Sequence, residues 1–408
     1  MIQKRKKQIK FIILIAIIIG LIAGGTFWIL ANHREETKTE EITEQIDFSS
    51  KRLIVTTDSE LKETYNAKSV NKTYSGKYAI KYETETDTKN AYKNFKNDPN
   101  IQEVYVDKYI KIDIQSIEPY TIQYSSVSTI SGTNHESWGT YAMGLNETQT
   151  KINSNSSKED VVVAVIDSGF DLNHSFMKEQ NLASRIDKRY INVINNSDDI
   201  SDEKQNEQQI VIGHGTGVGG IILDATPDNV KILPIKVGDF NGEYMYMSDF
   251  YDAIQYSIDN NVDVINMSIG GSSLGDSTMS KLVKAALDKN ITIIAASGND
   301  GKDMQNTYPA ALDGVFSVGA LQTDLIKYDA VTDQIFGPSY KQARNSTKDN
   351  LSKAEFSNFG AMLDFTAPGK DILCMIPRAA EHGEGATGKR NFVFFTLYSC
   401  NSCNYKKL

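Results

Sequence analysis

The chain has 408 residues, with 43 Lys and Arg against 52 Asp and Glu and a formal net charge of -9. That acidic balance argues against a nucleic-acid partner, and 3 cysteines in so long a chain exclude a disulfide framework. The 8 prolines exclude a Pro-rich architecture, while the length admits a large core and more than one domain.

In chain order, a basic tip comes first. Lys4, Arg5, Lys6, Lys7 and Lys10 precede residues 11–30, which carry no charge. A run of about 20 apolar residues crosses the hydrocarbon core of a bilayer as one helix, and the basic cluster predicts a cytoplasmic N-terminus. The apolar core of a cleaved signal peptide is shorter, about 7–15 residues. Residues 1–32 are therefore expected to be a cytoplasmic tip and transmembrane anchor, with the large domain extracytoplasmic; a secreted protein is the alternative. Residues 33–50 are acidic and polar and read as a linker.

Residues 51–115 form a separate small α+β unit. Strands are predicted at 52–56 and 77–82, a helix at 88–97, and a closing strand from 101–106 and 108–112. Residues 116–137 are rich in Ser, Thr and Tyr without helical period. They read as a linker between globular units, open to cleavage.

From residue 138 the pattern changes. Residues 161–166 (VVVAVI) are apolar throughout, as in a strand buried on both faces. The run ends at Asp167, followed by the turn formers Ser168 and Gly169. A carboxylate thus sits at the carboxyl end of a buried strand, where ligands gather in open α/β sheets. A polar excursion at 194–209 reads as surface loop. Strands follow at 230–237, 262–267, 291–296 and 315–320, with helices at 246–260 and 280–289. The alternation predicts an α/β fold with a doubly wound, mostly parallel sheet and helices on both faces.

Three strand or helix ends offer chemistry. His214 lies in Gly213-His-Gly-Thr-Gly-Val-Gly-Gly220, where glycines let a helix start pack close to other backbone. The same glycines, Gly215 to Gly220, match G-x-G-x-x-G, and Asp239 follows at about the spacing of a ribose contact. A dinucleotide-dependent oxidoreductase is therefore a competing reading. It is weakened because that fingerprint opens the first βαβ unit, and here the strand ending in Asp167 comes earlier. Asn299 follows another buried strand; its amide could donate to a developing oxyanion or merely form an Asn-Asp-Gly turn. Ser268, Ile269, Gly270 and Gly271 follow a third strand and offer backbone groups to an extended peptide. A carboxylate, an imidazole and an amide are the parts of an acyl-transfer site.

At these residues the chain resembles the subtilisin-like serine proteases, or subtilases. The matching stretches are Val165-Ile-Asp-Ser-Gly169, His214-Gly-Thr216, Asn266-Met-Ser-Ile-Gly-Gly271, Ser297-Gly-Asn299, Tyr308-Pro-Ala310, Phe356-Ser-Asn358 and Thr366-Ala-Pro-Gly369, seven motifs in co-linear order. The resemblance implies that Asp167 orients His214, that His214 is the general base and that Asn299 helps form the oxyanion hole. It implies that Ser268, Ile269, Gly270 and Gly271 line the cleft for a peptide or protein substrate. It also makes residues 51–115 an inhibitory propeptide that the enzyme removes by self-cleavage.

Two departures qualify the resemblance. Residues 221–230 run almost directly into the next strand, so the family's calcium loop after the histidine helix is expected to be absent, and no cofactor or metal is expected. More seriously, no Gly-Thr-Ser-x-Ser/Ala-x-Pro motif follows Gly369. Back-translated in the neighbouring reading frame, residues 390–400 encode Gly-Thr-Ser-Phe-Ser-Ser-Pro-Tyr-Ile-Ala with permitted codon choices. A frameshift is therefore expected between about Arg378 and Arg390. On this reading the catalytic domain, 138–377, is incomplete, residues 378–408 are an aberrant tail, and Cys400 and Cys403 are accidents of translation. The expectation is a membrane-anchored endopeptidase precursor that is inactive as it stands, with a peptide-binding pseudoprotease as the alternative.

Overall fold

The structure is a computed structural model. It describes residues 46–111, 159–174, 213–238, 244–272, 275–324 and 350–370, and, with short gaps, 139–153, 177–202 and 372–375; of 327–329, 334–336 and 386–388 it describes the backbone. The predicted anchor at 11–30, the linker 116–137 and almost all of the tail lie outside the described residues. Among the described residues no helix is long and apolar enough to cross a membrane. The chain divides into two compact units, Met1–Asp47 and Phe48–Leu408, and every element below belongs to the second.

The N-terminal module contains β1 (Arg52–Thr56), β2 (Ser69–Lys72), β3 (Tyr78–Lys81), helix α1 (Glu85–Asn97) and β4 (Glu103–Val106), followed by β5 (Tyr109–Lys111). The sheet order is β2-β3-β1-β4, with antiparallel pairs throughout. Thr84 caps α1 by accepting from the Asp87 N–H, satisfying one of the amides a helix start leaves open. Thr88, Ala91 and Phe95 form its buried face, and the latter two pack on Leu53, Val55 and Ile80.

Two features of this module differ from the sequence reading. β2 (SVNK) was not predicted: it is an edge strand, mostly exposed, and lacks the apolar alternation that marks a half-buried strand. The single closing strand is in fact two. Asp107, 1 % exposed, interrupts it, and β5 leaves the module to pair antiparallel with a strand of the main module, with Ile110 opposite Met245.

The main module runs α2 (Leu145–Asn153), β6 (Val161–Asp167), β7 (Ile191–Asn192), α3 (His214–Ala225), β8 (Val230–Lys236), β9 (Tyr244–Tyr246), α4 (Met247–Asp259), β10 (Val264–Met267), α5 (Ser277–Asp288), β11 (Thr292–Ala296) and β12 (Val315–Thr323). Then come a hairpin of β13 (Lys327–Asp329) and β14 (Gln334–Phe336), β15 (Leu351–Lys353), β16 (Phe365–Pro368), and the pair β17 (Ile372–Cys374) and β18 (Ala386–Gly388). The central sheet has the order β15-β12-β11-β10-β6-β8-β7, with β16 also on β12. Every pair in it is parallel except β12 with β15.

The apolar run of β6 is explained by two cores. Val161, Val163 and Val165 face Val218 and Ile222 of α3. Ala164 and Ile166 face the other way, into the cluster of Phe250 and Ile254 of α4 and Val283 of α5. Both faces of the sheet are therefore covered, the condition under which a parallel strand loses its polar alternation. The chain leaves β6 through α3 to β8 on one side, then returns through α4 to β10 on the other side of β6. Such a reversal opens a crevice at the carboxyl ends of the strands, and Asp167 is the last residue of β6.

The two modules share a buried ionic contact. Arg52 of β1 donates to both carboxylate oxygens of Asp249 on α4, at 2.6 and 2.7 Å, and lies 3.4 Å from Asp107. Asp107 in turn accepts from the Ser248 hydroxyl at 2.6 Å and its N–H at 3.3 Å. The N-terminal module thereby caps the first turn of α4, which has no side-chain cap of its own.

Candidate active site

Asp167 is delivered by β6 and His214 by the first residue of α3. Between them the chain must come unusually close to itself. Gly169 has φ +132, and a Cβ on it would stand 2.4 Å from the Ile200 carbonyl oxygen. A Cβ on Gly215 would stand 2.1 Å from the Gly169 carbonyl oxygen. The glycines that read as a dinucleotide fingerprint lie inside α3 and not at a strand-to-helix turn. Gly215 seats the helix start on the turn after Asp167, and Gly219 admits the Phe170 ring. Asp239, the proposed ribose contact, lies outside the described residues.

This packing brings two predicted residues together. His214 Nδ1 is 2.7 Å from Asp167 Oδ1. The same oxygen accepts from the Ser168 N–H at 2.8 Å. The other carboxylate oxygen is buried without a donor among the described residues. Burial alone would push the imidazole down, but the Asp167 carboxylate beside it, with Asp202 adding a weaker pull, lifts it above the usual histidine range. A histidine held by a buried carboxylate through Nδ1 has its tautomer set, leaving Nε2 as the basic nitrogen.

Asn299 is exposed just past the carboxyl end of β11, on the same edge of the sheet as Asp167. Its loop is held by a residue to which the sequence reading assigned no role. Asn358 is fully buried. Its Oδ1 accepts from the N–H groups of Asp300 and Lys302, and its Nδ2 donates to the Ser297 carbonyl. Gly298, at φ +97, passes so close that a Cβ would stand 2.4 Å from Asn358 Nδ2. Only its place in the Phe356-Ser-Asn358 motif marked Asn358 in the sequence.

Ser268 and Gly271 are half-buried, Ile269 is buried and Gly270 is exposed. Gly271 exchanges backbone hydrogen bonds with Tyr308, which fixes the segment. Strand β5 lies along β9, and its Ile110 rests on Gly271, 3.4 Å from where a Cβ would be. An extended segment of the chain's own N-terminal module thus pairs with β9 and touches Gly271. Among the described residues no group of three His, Cys, Asp or Glu is placed to hold a metal ion.

The arrangement suits proton abstraction by His214, close to where β9 already pairs with an extended segment of the chain. Comparison with known proteins points the same way. The family model described as the subtilase family, Peptidase S8, matches residues 158–399. The chain is similar to subtilisin DY of Bacillus licheniformis, 31 % identical over 53 % of this chain and 68 % of that protein. It is also similar to subtilisin amylosacchariticus of Bacillus subtilis subsp. amylosacchariticus, 30 % identical over 53 % of this chain and 49 % of that protein. The major intracellular serine protease of Bacillus subtilis is 28 % identical over 54 % of this chain and 61 % of its own length. The chain thus spans between about half and two thirds of the relatives it matches. Because the family model covers more than half of the 408 residues, and its match includes the strand end at Asp167 and the helix start at His214, the chain belongs to the subtilase family.

Proposed function

We propose that the chain is the precursor of a serine-type endopeptidase that cuts extended peptide segments. The observation that carries this reading is the 2.7 Å contact of His214 with the buried Asp167. In such a site His214 accepts the proton of a serine hydroxyl as that oxygen attacks the scissile carbonyl, then returns it to the leaving amine. Asp167 holds the ring and stabilises the imidazolium. The exposed Asn299 amide is the side-chain donor for the oxyanion, and Ser268, Ile269, Gly270 and Gly271 with β9 hold the substrate as a strand.

The N-terminal module is the inhibitor of that site. β5 takes the strand position beside β9 that a substrate would use, and Asp107 and Arg52 anchor the module on α4. The reading extends to an N-terminal membrane anchor with the catalytic unit outside the cytoplasm.

No Gly-Thr-Ser motif occurs between Gly369 and Leu408, and on this reading the nucleophile is encoded in the neighbouring frame. Removing the serine from a triad of this kind costs on the order of 2 × 10⁶ in kcat, a value measured in subtilisin itself. The full chain should therefore not label with a fluorophosphonate probe and should keep its N-terminal module. Restoring the neighbouring frame from about Arg390 should give both labelling and self-cleavage within residues 117–134. Labelling of the unrepaired chain that His214→Ala abolishes would overturn the inactivity. Peptide retention without cleavage in both forms would favour the pseudoprotease.

A further inference from the structure

Asp202 has no part in the acyl-transfer chemistry, yet it is 4 % exposed and sits directly behind the Asp167–His214 pair. Its Oδ2 accepts from the Thr216 N–H at 2.9 Å and from the Thr216 hydroxyl at 2.8 Å. The Ser168 hydroxyl also favours the charged form of Asp202. Ser168 Oγ accepts the Gly215 N–H at 2.9 Å. Thr216 Oγ1 does the same for the Asp171 N–H at 3.0 Å. Asp202 therefore fixes Thr216, two residues beyond His214, and through it the Asp171 backbone in the turn after Asp167. Ser168 and Thr216 are both fully buried, so water does not compete for these bonds.

An amide oxygen could accept the Thr216 donors without the several kcal/mol that burying an ion costs. A carboxylate at this node has a further consequence, because its charge is felt by the imidazole. We propose that Asp202 is a positioning residue for the Asp167–His214 pair: it clamps the start of α3 to the turn after β6 and sets a second negative charge behind the imidazole. Among the described residues the groups that face it are Ser168 and Asp167 from the end of β6, and Thr216 and His214 from α3, while the Lys236 ammonium of β8 is held on the adjoining Ser201 carbonyl. Burial raises Asp202 to about 7, against the Ser168 hydroxyl and the Thr216 hydrogen bonds that lower it, and Asp167 repels it further. Asp202 in turn raises His214. The charge on each group therefore shifts the proton affinity of the other, which couples their titrations.

The inference rests on reading His214 as the base, but its test needs no turnover. In the full chain, the His214 ring is followed by ¹H–¹⁵N NMR against pH, alongside Asp202→Asn and Thr216→Val. The expected result is a folded Asp202→Asn variant whose His214 pKa falls by about half a unit or more while the Nδ1 proton stays hydrogen-bonded. Thr216→Val removes a donor but keeps the charge, so His214 should not fall. An unchanged His214 pKa in Asp202→Asn overturns the proposal. Should that variant not fold, the unaltered chain decides: two inflections in the His214 titration support coupling to Asp202, and a single inflection overturns it. Absence of any hydrogen-bonded Nδ1 proton in the unaltered chain would instead sink the reading of the pair itself.

Discussion

An alanine at position 215 would bring its Cβ to 2.1 Å from the Gly169 carbonyl oxygen and 3.1 Å from Asp167 Cβ. The first neighbour is backbone and cannot swing away, so the helix start must lift off the turn. Gly215→Ala should cost about 1–3 kcal/mol or more, as overpacking does, and should weaken the hydrogen bond between His214 and Asp167. Denaturant unfolding reads the first effect and the Nδ1 proton resonance the second. Gly76 is the control. It has φ +82, but a Cβ there would meet nothing within 4 Å, so Gly76→Ala should cost only the roughly 1–2 kcal/mol of a left-handed residue and leave the pair intact. Normal unfolding of Gly215→Ala with an unshifted proton would show that the close approach does not hold the site.

At the scale of elements, β1 and α4 meet through one guanidinium and two carboxylates. Arg52 and Asp249 have side chains 5 % and 1 % exposed, and the Arg52 guanidinium also stacks 4.2 Å from the Tyr246 ring centroid. Removing the cation leaves Asp249 and Asp107 buried without a counter-charge, a loss of about 3–5 kcal/mol in comparable cases. Arg52→Ala should therefore lower the unfolding midpoint strongly and expose β1 and β4 to amide exchange ahead of the central sheet. The Lys68–Glu83 pair makes the contrast, with side chains 58 % and 70 % exposed. Solvent screens such a pair, so Lys68→Ala should leave the midpoint where it was. Equal effects of the two substitutions would remove the ionic contact as the anchor of the N-terminal module.

For the whole molecule, the same contact makes docking of the two modules depend on pH. Undocked, Asp107 returns to the ordinary carboxylate range near 3.8. Docked, burial lifts it, Arg52 pulls it back and Asp249 repels it, which leaves it at about 6. Asp252, accepting from the Ser75 N–H across the interface, is raised by burial too. A raised group binds more protons in the docked state, so its contribution is fully present below about 3.8 and is lost as pH rises through about 6. Docking should weaken by about tenfold between pH 5 and pH 7 from Asp107 alone. Amide protection of β1 and β4, corrected for intrinsic exchange, should fall accordingly, and Asp107→Asn should flatten the trend. Protection that rises with pH would reverse the sign and reject the mechanism. A module docked this way holds harder in acid and loosens towards neutrality.

Much of this architecture is legible in the residues alone, because some physical demands are local. A strand buried on both faces must be apolar throughout, which marked 161–166 and placed Asp167 at a strand end. The seven motifs around Asp167, His214, the 268–271 segment and Asn299 carried the family for the same reason, since each is a short stretch with its own backbone requirement. What depends on partners distant in the chain was not legible. The 2.7 Å meeting of residues 47 apart exists only because the start of α3 packs onto the turn after β6. The departure of β5 from its own module depends on β9, and the roles of Asp202 and Asn358 depend on donors they meet only after folding. A polar side chain carries no mark of whether water or a buried turn will satisfy it; only the assembled crevice decided that Asp202 would be buried beside a histidine and that Arg52 would be the bolt between two modules.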